Sequence, residues 1–508
     1  MKQYVMGIDG GTGGMRVGIY DLQGNPACFA STPYPTAHLH PGWADQAPAD
    51  WWRALVQSVG EALQKSGISP RQIAALGVDT TNCSVLLCQR DGTPVRDCLI
   101  WMDVRSAPQA ERIRALTGEN LSPEWMPSKL LWLKENEPEH YERAQVFCEY
   151  QDWMTYRLTG LWSINVNCSC NWGYDARLGD FHRDFYRAIG LADALDKFPD
   201  ERVFRVGQPI GGLTEEAATL LGLCPGTLVC QGGIDASIGI LGMGACRPGQ
   251  VALITGSSNL AMVLTPDPPP FGEATVNAGP DNLIEGYYTA YRGQVSSGSI
   301  LKWFIGEFCK DLSARCEESG ESVYALLDRE AKDLPIGSGG LIALDYWQGN
   351  QHPYLDGNVR GMVYGFSLHH TRAHLYRALL EGIAYGTENL LCQLRENGFA
   401  VERLHISGGT AQSDLFLQIH ADISNVEILV PRDKQASCLG SAICAAVGLG
   451  AYPDLPTASE AMVAMEKRIL PDPARHARYQ AFFEQYRKLY PQLKDWMHDT
   501  TALAADDQ

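Results

Sequence analysis

Positive charge is scarce in this chain: 41 Lys and Arg stand against 59 Asp and Glu, a formal net charge of −18 over 508 residues. A surface that acidic repels DNA, RNA and anionic membranes, so nucleic-acid and lipid-surface recognition are set aside. An anionic ligand in a cleft remains open, because backbone amides and a few local cations suffice to hold one. Long apolar runs are missing as well. The stretch from Leu439 to Gly450 is short and rich in Gly and Ala, and no membrane-spanning helix is expected. No basic segment followed by an apolar one opens the sequence, so no signal peptide is expected. The 15 cysteines are scattered, and Cys168 and Cys170 form a C-x-C with no second pair at zinc spacing. Structural disulfides are not expected, and a reducing cytoplasm is the expected setting. His369 and His370 are adjacent rather than at helical ligand spacing, which disfavours a dedicated metal-catalytic site.

What is present reads as alternating strands and helices. At 508 residues the chain exceeds one compact core, and two domains of about 250 residues are expected. Val5 to Asp9 reads as a buried strand, Gly10 to Gly14 as a turn and Met15 to Tyr20 as a second strand. The same design recurs at Val251 to Thr255, Gly256 to Asn259 and Leu260 to Leu264, which points to two related domains. Thr371 to Arg395 and Ala436 to Gly448 read as helices, and Thr500 to Gln508 as a frayed tail. Strands alternating with helices in both halves give an α/β fold.

Four segments carry candidate chemistry. In Asp9-Gly10-Gly11-Thr12-Gly13-Gly14-Met15-Arg16 the glycines let the backbone bend around a bulky anion and present amides to phosphate oxygens. Another strand follows instead of a helix, and neither G-x-G-x-x-G nor Gly-Lys-Ser/Thr is present, so this is not a Rossmann or Walker site. Taken alone it reads as an ordinary hairpin turn; the second copy at Gly256-Ser257 favours paired phosphate loops. Asp235 ends the strand Leu228-Val229-Cys230, where a carboxylate can accept the proton of an attacking hydroxyl or hold a metal; it is equally a helix cap. Asp103 and Arg105, two apart, suit sugar hydroxyls or form an ion pair at a helix start. Ser407 to Asp414 is a glycine-containing loop against which a ring or ribose could lie, or a routine βα connection.

In order and spacing these segments resemble the FGGY carbohydrate kinases over about residues 4 to 455. Further segments carry the likeness: Pro41-Gly42-Trp43 before Trp51-Trp52, Gly77-Val78-Asp79-Thr80-Thr81, Pro127 to Leu133, Ser297-Gly298, and Gly361 to Gly365 leading into Leu375 to Gly382. The resemblance implies two actin-like, ribonuclease H-like domains with a catalytic cleft between them. The expected division is 1–246 (sugar and first phosphate loop), 247–455 (nucleotide) and 456–508, a helical segment and tail packed on the second domain. Carried over by position, Asp235 is the catalytic base, and Asp9 with Asp235 serves Mg²⁺, Asp9 through water. Thr12, Gly13 and Arg16 belong to the first phosphate loop and Gly256 with Ser257 to the second. Gly298, Gly409 and Ser413 line the nucleotide, while Thr81, Asn82, Cys83 and Asp103 face the sugar. The implied co-substrate is ATP, the implied partner a small sugar or polyol, and a homodimer is the family-level expectation. Departures narrow the acceptor. Thr80 to Ser84 lacks the Arg-Glu pair of glycerol kinases and the Gln-Met-His-Gly of xylulokinases, whereas Val78-Asp79-Thr80-Thr81 and Asp345 to Asn350 are similar to the ribulokinase-like branch. Gly14 replaces a common serine in the first loop.

Overall fold

A computed structural model describes residues 3–199, 202–268 and 277–506. The chain divides into two compact units, Met1–Cys246 with Gly279–Tyr288 and Gln435–Ala464, and Arg247–Ala278 with Thr289–Lys434 and Met465–Gln508. The second unit is therefore not the continuous 247–455 expected from sequence. The chain returns to the first unit after Lys434, because the helix that follows packs on the first sheet.

In the first unit the strands are β1 (Tyr4–Gly11), β2 (Gly14–Asp21), β3 (Pro26–Pro33), β4 (Ile73–Thr80), β5 (Pro209–Gly212) and β6 (Leu228–Ile234), in the sheet order β5-β6-β4-β1-β2-β3. β1 runs antiparallel to β2 and parallel to β4, which in turn is parallel to β6. Helix α1 (Pro48–Ser66) lays Trp51, Leu55 and Val59 on this sheet, at the 3.6-residue spacing visible in the sequence. Helix α2 (Met126–Asn136) and the single turn α3 (Val166–Ser169) lie outside the sheet, and α4 (Asp235–Met243) follows β6 directly.

The second unit is carried by β7 (Gly249–Thr255), β8 (Asn259–Thr265), β9 (Asn277–Pro280), β10 (Tyr288–Gln294), β11 (Val401–Gly408), β12 (Glu427–Pro431) and β13 (Met465–Ile469). Their order is β9-β10-β8-β7-β11-β12-β13, with β7 antiparallel to β8 and parallel to β11. The cores of the two sheets thus share one plan, an antiparallel hairpin whose first strand continues into parallel neighbours. That is the repeat legible at residues 5 and 251. Helices α5 (Gly298–Phe308), α6 (Val323–Ala331), α7 (Arg372–Glu396) and α8 (Asp414–Ser424) belong here.

Helix α9 (Ala436–Gly448) is apolar on all sides and built from small residues, and it packs on β1 and β4 of the first unit. Its fit depends on glycine. A Cβ on Gly7 would fall 2.8 Å from Cys438 C, and one on Gly77 would fall 2.7 Å from Ser441 C. Gly242 of α4 meets Ala436 in the same way, so backbone lies against backbone. The chain closes with α10 (Pro473–Asp506), which continues through most of the tail expected to fray; the last two residues lie outside those described. No helix among the described residues is long and apolar enough to cross a membrane.

Candidate active site

The two strands of the first hairpin run further into the glycine cluster than the sequence suggested, leaving only Thr12 and Gly13 at the turn. Thr12 is held from both ends: its carbonyl accepts from Gln46 Nε2 at 2.8 Å and its hydroxyl from Trp101 Nε1 at 2.9 Å. Tyr34 donates its hydroxyl to Gly11 O. Gly13 faces open space, whereas a Cβ on Gly14 would meet Thr32 O at 2.8 Å and Pro33 Cα at 3.1 Å. The missing serine at position 14 therefore has a packing reason: β3 lies too close for a side chain.

Asp9, near the end of β1, is buried and accepts from Arg16 Nη1 across the hairpin at 2.6 Å. Asp79 lies beside it on β4 in parallel register and accepts from Ser441 Oγ of α9. Burial, reinforced by the Asp9 charge, pushes the Asp79 carboxyl well above the usual carboxylate range. Asp79 served the sequence reading only as a branch marker; its contact with Asp9 follows from strand register.

Asp235 opens α4 at the end of β6, its Oδ1 accepting from Ala236 N at 2.7 Å. Two asparagines of the α3 turn set this corner. Asn165 Nδ2 donates to Gly232 O at 2.9 Å, and Asn167 Oδ1 accepts from Ile234 N at 2.8 Å. No sequence pattern marked either asparagine. Burial first, then the negative charge of Asp9, raises the Asp235 carboxyl to about 7. A group poised there can take a proton from an alcohol at neutral pH.

The expected sugar-facing residues separate into two sets. Thr81 N donates to Gly10 O at 3.0 Å, tying this loop to the first hairpin, and the Asn82 amide oxygen is buried without a partner. Cys83 adopts φ 56°, a conformation unusual for a residue with a side chain, and its carbonyl accepts from the buried Lys129 of α2 at 2.7 Å. Lys129 also donates to Leu99 O and Ile100 O, pinning two loops with one ammonium. Asp103 is a different case. It is fully buried, and its two oxygens are taken up by Ala44 N and Arg105, whose guanidinium lies 3.9 Å from the Trp43 ring centroid. It anchors this wall instead of presenting a free acceptor.

In the second unit Gly256, Ser257, Gly298, Gly409 and Ser413 come together around one cavity of about 460 Å³. The β7–β8 turn is bound to the start of α5: Gly298 N donates to Gly256 O at 2.9 Å and Ser297 N to Ser257 O at 2.9 Å. A side chain on Gly298 would strike Gly256 O, which is why glycine stands there. Ser413 caps α8 by accepting from Phe416 N at 3.0 Å.

Among the described residues no three His, Cys, Asp or Glu side chains converge to cage an ion. Asp9 offers a buried carboxylate oxygen with no hydrogen bond, beside the enclosed Asp235. One or two carboxylates of this kind fit a hydrated Mg²⁺ carried by phosphates, which keeps most of its waters.

Glycine hairpins that offer backbone amides and a buried carboxylate raised to about 7 suit phosphoryl transfer to a hydroxyl. Family models for the N- and C-terminal domains of FGGY carbohydrate kinases match residues 4–242 and 251–449. The chain belongs to the FGGY family of carbohydrate kinases, whose members use ATP as substrate. It is 32% identical to a ribulokinase of Shouchella clausii, over 96% of this chain and 95% of that one. A xylulose kinase of Staphylococcus epidermidis is 25% identical over 98% and 99%. The crystal structure of a xylulose kinase from Rhodospirillum rubrum superposes with a TM-score of 0.84 at 27% identity, covering 98% of this chain and all of that one.

Proposed function

We propose that this kinase transfers the γ-phosphoryl group of ATP to a primary hydroxyl of a ketopentose, ribulose before xylulose, with polyols such as erythritol or ribitol as poorer acceptors. The observation that carries the choice of sugar is the identity gradient. Ribulokinases match at 29–32%, xylulose kinases at 25–26%, over similar lengths. The second reading, xylulose, is favoured by the shape match to the Rhodospirillum enzyme.

In this mechanism Asp235 orients the acceptor hydroxyl and takes its proton as the bond to phosphorus forms. Arg16 and the amides of the Thr12-Gly13 turn are the phosphate-binding elements of the first unit, and Gly256 with Ser257 those of the second. Asn82 offers its unpartnered amide oxygen to the sugar. Mg²⁺, faced by Asp9 and Asp235 through water, would neutralise phosphate charge.

ADP release with Mg-ATP, followed across D- and L-ribulose, D- and L-xylulose, erythritol, ribitol, arabinitol and glycerol, tests the reading. A ketulose should give the strongest signal, and a preference for glycerol would defeat the proposal. The pH profile supplies a second check. Asp235 works deprotonated, so kcat/KM should rise with pH through about 7. Asp9→Asn removes the negative charge that raises Asp235, so this limb should move to lower pH, and the Mg²⁺ requirement should increase. An unmoved limb and an unchanged Mg²⁺ titration would separate Asp9 from both roles.

A further inference from the structure

The cavity of the second unit is lined by two chemically distinct sets of residues. Gly256, Gly298 and Gly409 contribute bare backbone; helix α6 contributes Tyr324, Ala325 and Asp328. Asp328 is the only carboxylate among the lining residues. It is half-buried, and its orientation is fixed: Tyr376 donates its hydroxyl to Oδ1 at 2.9 Å, and the Ser413 hydroxyl binds the same group. A carboxylate repels phosphates, so the polyphosphate is assigned to the bare glycine backbone and the base to α6. An ionised carboxylate accepts and never donates, so the edge it meets must carry N–H or O–H. The flat apolar surfaces of Leu301, Leu380 and Phe416 complete a slot suited to a planar ring.

We infer that Asp328 reads the exocyclic amine of the adenine and sets the enzyme's preference for ATP over nucleotides that carry a carbonyl there. The inference rests on the kinase reading above, since it presumes that this cavity takes the phosphoryl donor. Adenine presents N6–H donors to the carboxylate. Inosine presents O6, an acceptor facing an acceptor, which removes a bond and adds repulsion. The ribose hydroxyls are the other donors of a nucleotide, and the test separates the two.

The experiment compares ATP, ITP and 2′-deoxy-ATP as donors for wild type, Asp328→Ala and Asp328→Asn with the preferred sugar saturating, and repeats the binding comparison by calorimetry without sugar. Wild type should favour ATP over ITP by about tenfold or more in KM. Asp328→Ala should raise KM for ATP about tenfold with kcat little changed and leave ITP equal or somewhat improved as the repulsion is lost, so that the ratio falls toward unity. Asp328→Asn keeps an acceptor for N6 and adds an N–H for O6, so it should improve ITP specifically. A role confined to holding Tyr376 or Ser413 would weaken both nucleotides together. An ATP:ITP ratio equal in all three proteins overturns the inference. So does a collapse of the ATP:2′-deoxy-ATP ratio in its place, which would assign Asp328 to the ribose. Silence of wild type with every sugar, while calorimetry still gives an Asp328-dependent ATP:ITP ratio, would fault the kinase reading and keep this one.

Discussion

Asparagine at position 235 should lower kcat by at least roughly 10²–10⁴-fold, the usual worth of a general base. The substitution is close to a pure test of basicity. The Asn amide oxygen can still accept from Ala236 N, and Asn165 and Asn167 continue to hold the strand end by backbone contacts that the change does not touch. The nucleotide-lining residues of the second unit are unaltered, so ATP binding by calorimetry should persist. Stability supplies a control with a definite sign. The folded carboxyl is raised from the ordinary 3.8 to about 7, so the wild type loses stability as pH climbs through that interval. Asparagine does not ionise, and the variant should melt at or above the wild-type temperature at pH 8 and converge with it near pH 4. A variant that folds in this way yet turns over at the wild-type rate would remove Asp235 from the chemistry.

The second large effect is structural. Alanine at Gly77 should destabilise the first unit by about 3 kcal/mol or more, the upper range for overpacking a filled interior, because a single methyl would be driven into Ser441 of α9. Backbone on both sides leaves nothing flexible to yield. The displaced helix also carries the hydroxyl that donates to Asp79, so activity should fall with stability. Gly13→Ala is the matched comparison. A Cβ there meets nothing within 4 Å, so thermal denaturation should be unaltered even if phosphate binding at the turn suffers. Equal melting temperatures for Gly77→Ala and wild type would show that the helix can shift without cost.

Much of this was legible in the sequence, for reasons that also set its limits. Glycine turns between β-formers announced both hairpins, since tight turns demand particular residues locally. Ala436 to Gly448 read correctly as a helix, because composition reports what a segment forms. It does not report which sheet the segment covers, and the helix was assigned to the neighbouring unit along the chain. A surface free of charged residues on every side, crowded with Ala, Gly and Ser, was the available sign that it would be enclosed by backbone. For Asp103 and Arg105 the sequence allows either sugar-facing groups or an ion pair at a helix start; the ion pair is what forms, and burial shows that it is saturated. Asn165, Asn167 and Lys129 were invisible because each acts on backbone far away in sequence, where side-chain identity leaves no pattern.

The return of α9 to the first sheet bears on how the protein is made. A ribosome that has finished residue 246 has released every strand of that sheet and none of the helix that seals one of its faces. Roughly two hundred more residues must emerge first, about 10–40 s at ordinary rates of synthesis. During that interval the strand that bears Asp9 exposes glycine and valine where α9 will lie. The nascent amino-terminal half thus keeps one face of its sheet open until translation is almost complete, and a fragment ending at residue 246 holds every strand of the sheet without the helix that closes its core.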